Sequence, residues 1–234
     1  MPLSVPAARR PMHTRKVTCQ GFFRDDGLWD IEGHITDEKH YPQDEGWRGV
    51  LQPGEYIHNM WIRLTVDEKM VIRDVEAATD NAPYRICPDI TPNFKRLIGL
   101  RIAGGFRRQA RERLGGTHGC THLVELLGPI GTTAYQTIYS DKAVALMREH
   151  KAKQATAKGE PVPGRRRPRA PEEHRPPYMI DTCHAWASDG EAVKQWAPLF
   201  YTGPDGETVR AEAEAKIRSR IAAYDARAAL EPSN

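Results

Sequence analysis

The sequence predicts an α+β fold: an antiparallel sheet of about four strands packed on helices, with an amphipathic helix near the C-terminus. Three observations carry the prediction. Two successive stretches alternate apolar and polar residues around short turn sequences. After residue 91 the apolar spacing becomes helical. Residues 207–230 carry Ile217, Ile221, Tyr224 and Ala228 on one stripe.

The first hairpin spans residues 15–41, after an extended arm at 1–14 that holds Pro2, Pro6 and Pro11. Val17, Cys19 and Gly21 alternate with Lys16, Thr18 and Gln20. Asp25-Asp26-Gly27 supplies the turn, because Asp-Gly tolerates positive φ. Trp29, Ile31, Gly33 and Ile35 then share one face, and Asp30, Glu32, His34 and Thr36 the other. Residues 42–56 read as a loop. In the second hairpin Met60, Ile62, Leu64 and Val66 share a face, and Asp67-Glu68-Lys69 is the turn. The return strand, Met70 to Ala77, places Asp74 and Glu76 on the face of Met70 and Ile72.

Residues 91–148 read as helical. Thr91 and Pro92 suit a helix start, and Phe94, Leu97, Ile98 and Ile102 recur at helical spacing. Gly104-Gly105 and Gly115-Gly116 interrupt the pattern. Gly128-Pro129 divides further helices at 121–127 and 132–149. The α+β core is thus expected at 15–149, a Pro/Arg-rich loop at 150–177, and a segment that returns to the core with the final helix at 178–234.

Composition limits the function classes. Of 234 residues, 39% are hydrophobic and 28% charged, as in ordinary globular proteins. The net charge of +3 makes no general case for nucleic-acid binding. The run GRRRPR at 164–169 has no interleaved aromatic residue for base stacking and reads as a solvated loop; docking of an acidic partner is the other reading. Cys19, Cys87, Cys120 and Cys183 form no CxxC pair. No signal-peptide core and no membrane-length apolar run is present, so the expected location is the cytoplasm. GxGxxG, P-loop and GxSxG motifs are missing.

Two constellations suggest chemistry. Asp30, Glu32 and His34 project from one strand face at about 7 Å intervals, a spacing that can flank a small substrate; a plain solvent-facing surface is the alternative. His58 and Arg63 stand on the next hairpin, Tyr84 follows it, and Trp29, Trp47 and Trp61 could line an aromatic pocket. The second constellation is Gly115 to His122, where His118, Cys120 and His122 alternate. With Cys87, or with Cys183 and His184, these residues could hold zinc; the free N–H groups of the glycine segment could instead bind an anion or activate the Cys120 thiol, and a glycine turn with a helix-capping threonine and a buried cysteine is the plain alternative.

The runs HTRKVTCQGFFRDDGLWDIEGHITD, HNMWIRLTVD, ICPDI and GGTHGCTHLVELL resemble a bacterial family catalogued as domain of unknown function 2889, over roughly residues 10–200. The resemblance implies a link to catabolism of aromatic compounds, where cofactor-free lyases remove formaldehyde or carbon dioxide from lignin-derived dimers. The leading expectation is accordingly a cofactor-independent carbon–carbon lyase on an aromatic substrate. His34 or Glu32 would take a hydroxyl proton, Arg63 would stabilise the developing charge, and Tyr84 or His122 would act as acid or anchor, with Asp30 and His58 beside them. The rivals are a zinc- or iron-binding protein or hydrolase using Cys87, Cys120 and His122, and a non-enzymatic binding protein. A homodimer through a sheet edge or the last helix is also open.

Overall fold

The computed structural model describes residues 3–160, 167–177 and 179–229. The chain forms two compact units, 1–162 and 163–234.

In the first unit β1 (His13–Phe23), β2 (Trp29–Lys39), β5 (Tyr56–Val66) and β6 (Ile72–Asn81) make a four-stranded antiparallel sheet in the order β1-β2-β5-β6. The Asp-Gly turn forms as its chemistry requires, with Gly27 at φ 84° and its N–H donated to the Arg24 carbonyl. β1 begins at His13, two residues inside the expected arm. The 42–56 loop contains a small hairpin, β3 (Gln43–Asp44) and β4 (Val50–Leu51).

The alternation in β2 and β5 holds. Trp29, Ile31 and Ile35 are buried with Met60, Ile62, Leu64 and Val66. Each such side chain contributes about 1.5–3 kcal/mol by leaving water. β6 departs from the expected parity. Val66 pairs with Ile72 but Thr65 pairs with Asp74, so β6 carries one extra residue at a bulge. The bulge buries Val75 and turns Asp74 and Glu76 to solvent. The two carboxylates thereby escape the apolar face on which simple alternation placed them.

Helices cover that face. Residues Cys87–Leu97 form a 3₁₀ segment, not the start of an α-helix. The reason is Pro88 and Pro92, which remove two backbone donors; Thr91 donates its hydroxyl to the Pro88 carbonyl. α1 (Phe106–Leu114) follows the glycine pair as expected. α2 (Thr121–Ile138) runs through Gly128-Pro129 without ending. One proline forfeits one main-chain bond, and the Thr132 hydroxyl bonds the Gly128 and Pro129 carbonyls. The break falls at Ser140, whose side chain caps α3 (Asp141–Ala157) by accepting from the Ala143 N–H. Residues 150–157 therefore belong to a helix and not to the expected loop; this stretch is rich in Ala, Lys and Gln and lacks proline.

α2 lies close against the sheet. A Cβ on Gly33 would stand 2.5 Å from Ile130 Cδ1, and one on Gly21 would collide with Thr137. Both glycines point to the helix side, so their missing side chains set the approach of α2.

The second unit has its own apolar cluster of Val193, Ala197 and Tyr201, with Ile180, Trp186, Phe200 and Val209 against it. The unit contains α4 (Glu191–Trp196) and α5 (Gly206–Ala228). On α5 the stripe Ile217, Ile221 and Tyr224 is half-buried among exposed neighbours, as predicted; the fourth member, the Ala228 side chain, lies outside the described residues. Gly164, Arg165 and Arg166 of the basic run also lie outside them. Arg167 pairs with Asp225. No helix among the described residues is long and apolar enough to cross a membrane.

Candidate metal centre

Parity decides which side chains can meet. On β2 the odd residues face the helices, and on β5 the even ones do. The sheet therefore separates the expected acid–base group. Asp30, Glu32, His34 and Arg63 stand on the face away from α2. His58 stands on the face toward it.

On the outer face the expected residues are engaged with one another. Arg63 donates to Glu32 at 2.7 Å and to Glu76 at 2.8 Å. Asp30 accepts from the Thr65 hydroxyl at 2.6 Å and from Arg24 at 3.2 Å. His34 meets Asn59 Oδ1 at 2.7 Å and stacks on Trp61, ring centres 3.5 Å apart. Tyr84 is exposed. The three tryptophans line no common pocket. Trp29 is buried on the helix side and Trp61 is on the other face. Trp47 is half-exposed and donates to the Pro83 carbonyl.

The helix-facing side gathers a different set at the end of the sheet. Asp37 and His58 are cross-strand partners. His122 joins them from the first turn of α2, its ring centre 3.8 Å from that of His58. Asp37, His58 and His122 each offer one ligand atom, all within 4.8 Å of one another. Among the described residues this is the one group of three histidine, cysteine or acidic side chains placed to hold an ion. A buried carboxylate and two half-buried imidazoles form an N,N,O donor set that suits zinc or iron.

Asp37 is 1% exposed and heavily hydrogen-bonded. Arg15 Nε donates to Oδ1 at 2.8 Å and Arg15 Nη2 to Oδ2 at 2.9 Å. His13 Nε2 approaches Oδ1 at 2.9 Å, and His58 Nδ1 approaches Oδ2 at 3.0 Å. Burial alone would raise the Asp37 carboxyl. The hydrogen bonds and charge of Arg15, aided by His58 and His13, hold it below the usual carboxylate value. Burial, then the neighbouring His122, pushes His58 from 6.5 down to about 4, against the pull of Asp37. Burial and the Arg15 charge lower His122 as well. Both shifts favour the neutral imidazole, the form that ligates metals.

The cluster corrects two expectations. The reading that no cofactor is needed is overturned by a donor set capable of coordinating an ion. Of the expected zinc ligands His122 belongs to the cluster and Cys120 stands beside it, but Cys87, Cys120, His122 and Cys183 form no group of three among the described residues. Cys87 is half-buried at the 3₁₀ segment, and Cys183 is exposed in the second unit. His118 is exposed, because residues 116–118 coil and α2 starts at Thr121. Cys120 sits at the start of α2, its sulfur 3.9 Å from both His122 Nδ1 and Met60 Sδ. Sequence reasoning missed Asp37, Arg15 and His13. A signal was present: Asp37 continues the odd series Trp29, Ile31, Gly33 and Ile35, so an acid occupied the apolar face.

No curated protein and no solved structure matches this chain. Residues 13–136, just over half of the chain, match a family described as protein of unknown function (DUF2889). That span contains His13, Arg15, Asp37, His58 and His122, and the chain belongs to this family.

Proposed function

We propose that this protein binds one zinc or iron ion through Asp37, His58 and His122 and uses it to activate water for hydrolysis of a small molecule. The observation that carries the reading is the convergence of three donor atoms within 4.8 Å beneath the sheet end. Two ligands on one ion at about 2.1 Å stand roughly 3.0–3.4 Å apart, and Asp37 Oδ2 and His58 Nδ1 are 3.0 Å apart. Metal uptake on this line replaces the proton the two atoms share. Three protein ligands leave a coordination position open, the arrangement of reactive rather than structural sites. Arg15 and His13 hold the carboxylate in place from behind.

The carbon–carbon lyase acting on a lignin-derived aromatic compound is the alternative proposal. It would require Glu32 or His34 to work on the outer face, where Glu32 is paired with Arg63 and His34 with Asn59. The engagement of these groups favours the metal reading.

Elemental analysis of untagged protein, followed by zinc and iron titration of the chelator-treated form, tests the proposal. About one ion per chain is expected. His58→Ala and His122→Ala should each weaken binding a hundredfold or more, whereas Cys87→Ser should not change it. Absence of binding at micromolar metal, or parent-like affinity in both histidine variants, overturns it.

A further inference from the structure

Beside the cluster lies a cavity of about 370 Å³ between α1 and the start of α2. Its volume is at the small end of the range for ligand sites. Arg107 and Arg111 line it, one helical turn apart on the same face of α1. The other arginines of this helix are engaged: Arg108 with Glu112, and Arg113 with the carbonyls of Arg96 and Ile98. Arg107 reaches over α2 at Gly128, where a Cβ would lie 3.7 Å from its Nε.

The cavity has one acidic residue in its wall, Glu125. That carboxylate is paired at 2.7 Å with Arg15. Arg107 and Arg111 make no ion pair among the described residues. The lining therefore carries two guanidinium forks, a geometry built to grip oxyanions, against a single carboxylate.

The same Arg15 guanidinium that holds Glu125 also holds Asp37. The cavity wall and the metal cluster are thus joined across a single side chain. Thr121 lines the cavity, and its neighbour His122 belongs to the cluster.

We propose that Arg107 and Arg111 bind the carboxylate or phosphate group of an anionic substrate whose reacting end faces Asp37, His58 and His122. The anion site stands on the cavity and its arginines; the orientation toward the cluster rests on the metal reading above.

Titration of chelator-treated protein with benzoate, with inorganic phosphate and with neutral benzyl alcohol, followed by calorimetry, separates the two. Saturable binding of benzoate or phosphate is expected, and which of them binds identifies the anion class. Benzyl alcohol should not bind comparably. Arg107→Gln and Arg111→Gln should each weaken the anion about tenfold or more, the usual worth of one charge-assisted contact. Arg108→Gln should not weaken it, and unchanged melting temperatures would show that all three variants fold. If neither anion binds, or if both arginine variants bind like the parent, the anion site is overturned, whatever the metal result. If the anion binds but zinc and iron do not, the site survives and only its orientation toward a metal fails. With zinc present, tighter anion binding in the parent but not in His122→Ala is expected; no difference between them overturns the orientation.

Discussion

Arg15 grips both carboxylate oxygens of Asp37, at 2.8 and 2.9 Å, from the edge strand of the sheet. The carboxylate is 1% exposed and the arginine side chain 36%. A partly solvated cation thus reaches in to the buried acid and, with His58 and His13, holds its carboxyl below the usual value against the effect of burial. Removing that cation leaves a buried charge short of partners. Arg15→Gln should cost about 2–3 kcal/mol in denaturant unfolding. Histidines 13 and 58 keep the loss below that of a fully orphaned charge. A loss under about 0.5 kcal/mol, the scale of an ordinary surface substitution, would mean that Arg15 does not support the cluster.

The depressed His58 value gives a pH window with a definite sign. Between about 4 and 6.5 the unfolded chain carries a proton on this imidazole that the folded chain does not. Stability of the metal-free protein should therefore be fully present above about 6.5 and fall as the pH drops toward 4. His122, also lowered, adds in the same direction. Urea unfolding in chelator at pH 7, 6 and 5 measures the slope. His58→Gln should flatten it, and an unchanged slope in that variant would show that His58 titrates normally.

Gly21 sets how closely α2 approaches β1. A Cβ there would fall 2.0 Å from Thr137 Oγ1 and 2.8 Å from its Cβ, contacts that no rotamer change at Thr137 fully removes. Gly21→Ala should destabilise the fold by about 1–3 kcal/mol, as overpacking does. Because α2 also carries His122, the same substitution should weaken metal binding. Thr137→Ala in that background should restore part of both. Loss of stability with metal affinity intact would uncouple the position of the helix from the cluster.

The β5–β6 turn depends on Asp67. Its Oδ1 accepts from the N–H groups of Lys69 and Val71, and Oδ2 pairs with Arg73. These contacts hold Met70 at φ 65°, an unfavourable region for a residue with a side chain, while that side chain is buried. Asp67→Ala should cost about 1–2 kcal/mol, by analogy with loss of a capping acid. Thermal melts check the value; a melting temperature within one degree of the parent would show that the turn is set by Met70 burial alone.

The sequence alone determined the sheet, because alternation over β2 and β5 is long and bounded by strong turn residues. It determined the stop before α1 and the stripe on α5 for the same reason: local spacing and glycine chemistry act within a few residues. It also singled out His58 and His122. Where one proline sits inside a long apolar helix, local signals misled, since packing outweighs a single lost hydrogen bond at Pro129. The β6 bulge was equally hidden, because one inserted residue reverses parity without changing composition.

The tertiary structure decided which reactive groups share a space. Asp30, Glu32 and His34 look clustered along the chain with His58 and Arg63, yet the sheet places His58 behind them. Asp37, 21 residues from His58 and 85 from His122, meets both because antiparallel register aligns β2 with β5 and because α2, packed close along the sheet over Gly33 and Gly21, brings its first turn onto them. A site assembled by long-range register and close packing leaves at each residue only a parity clue, such as an acid on an apolar face. Its membership is fixed when the chain closes on itself.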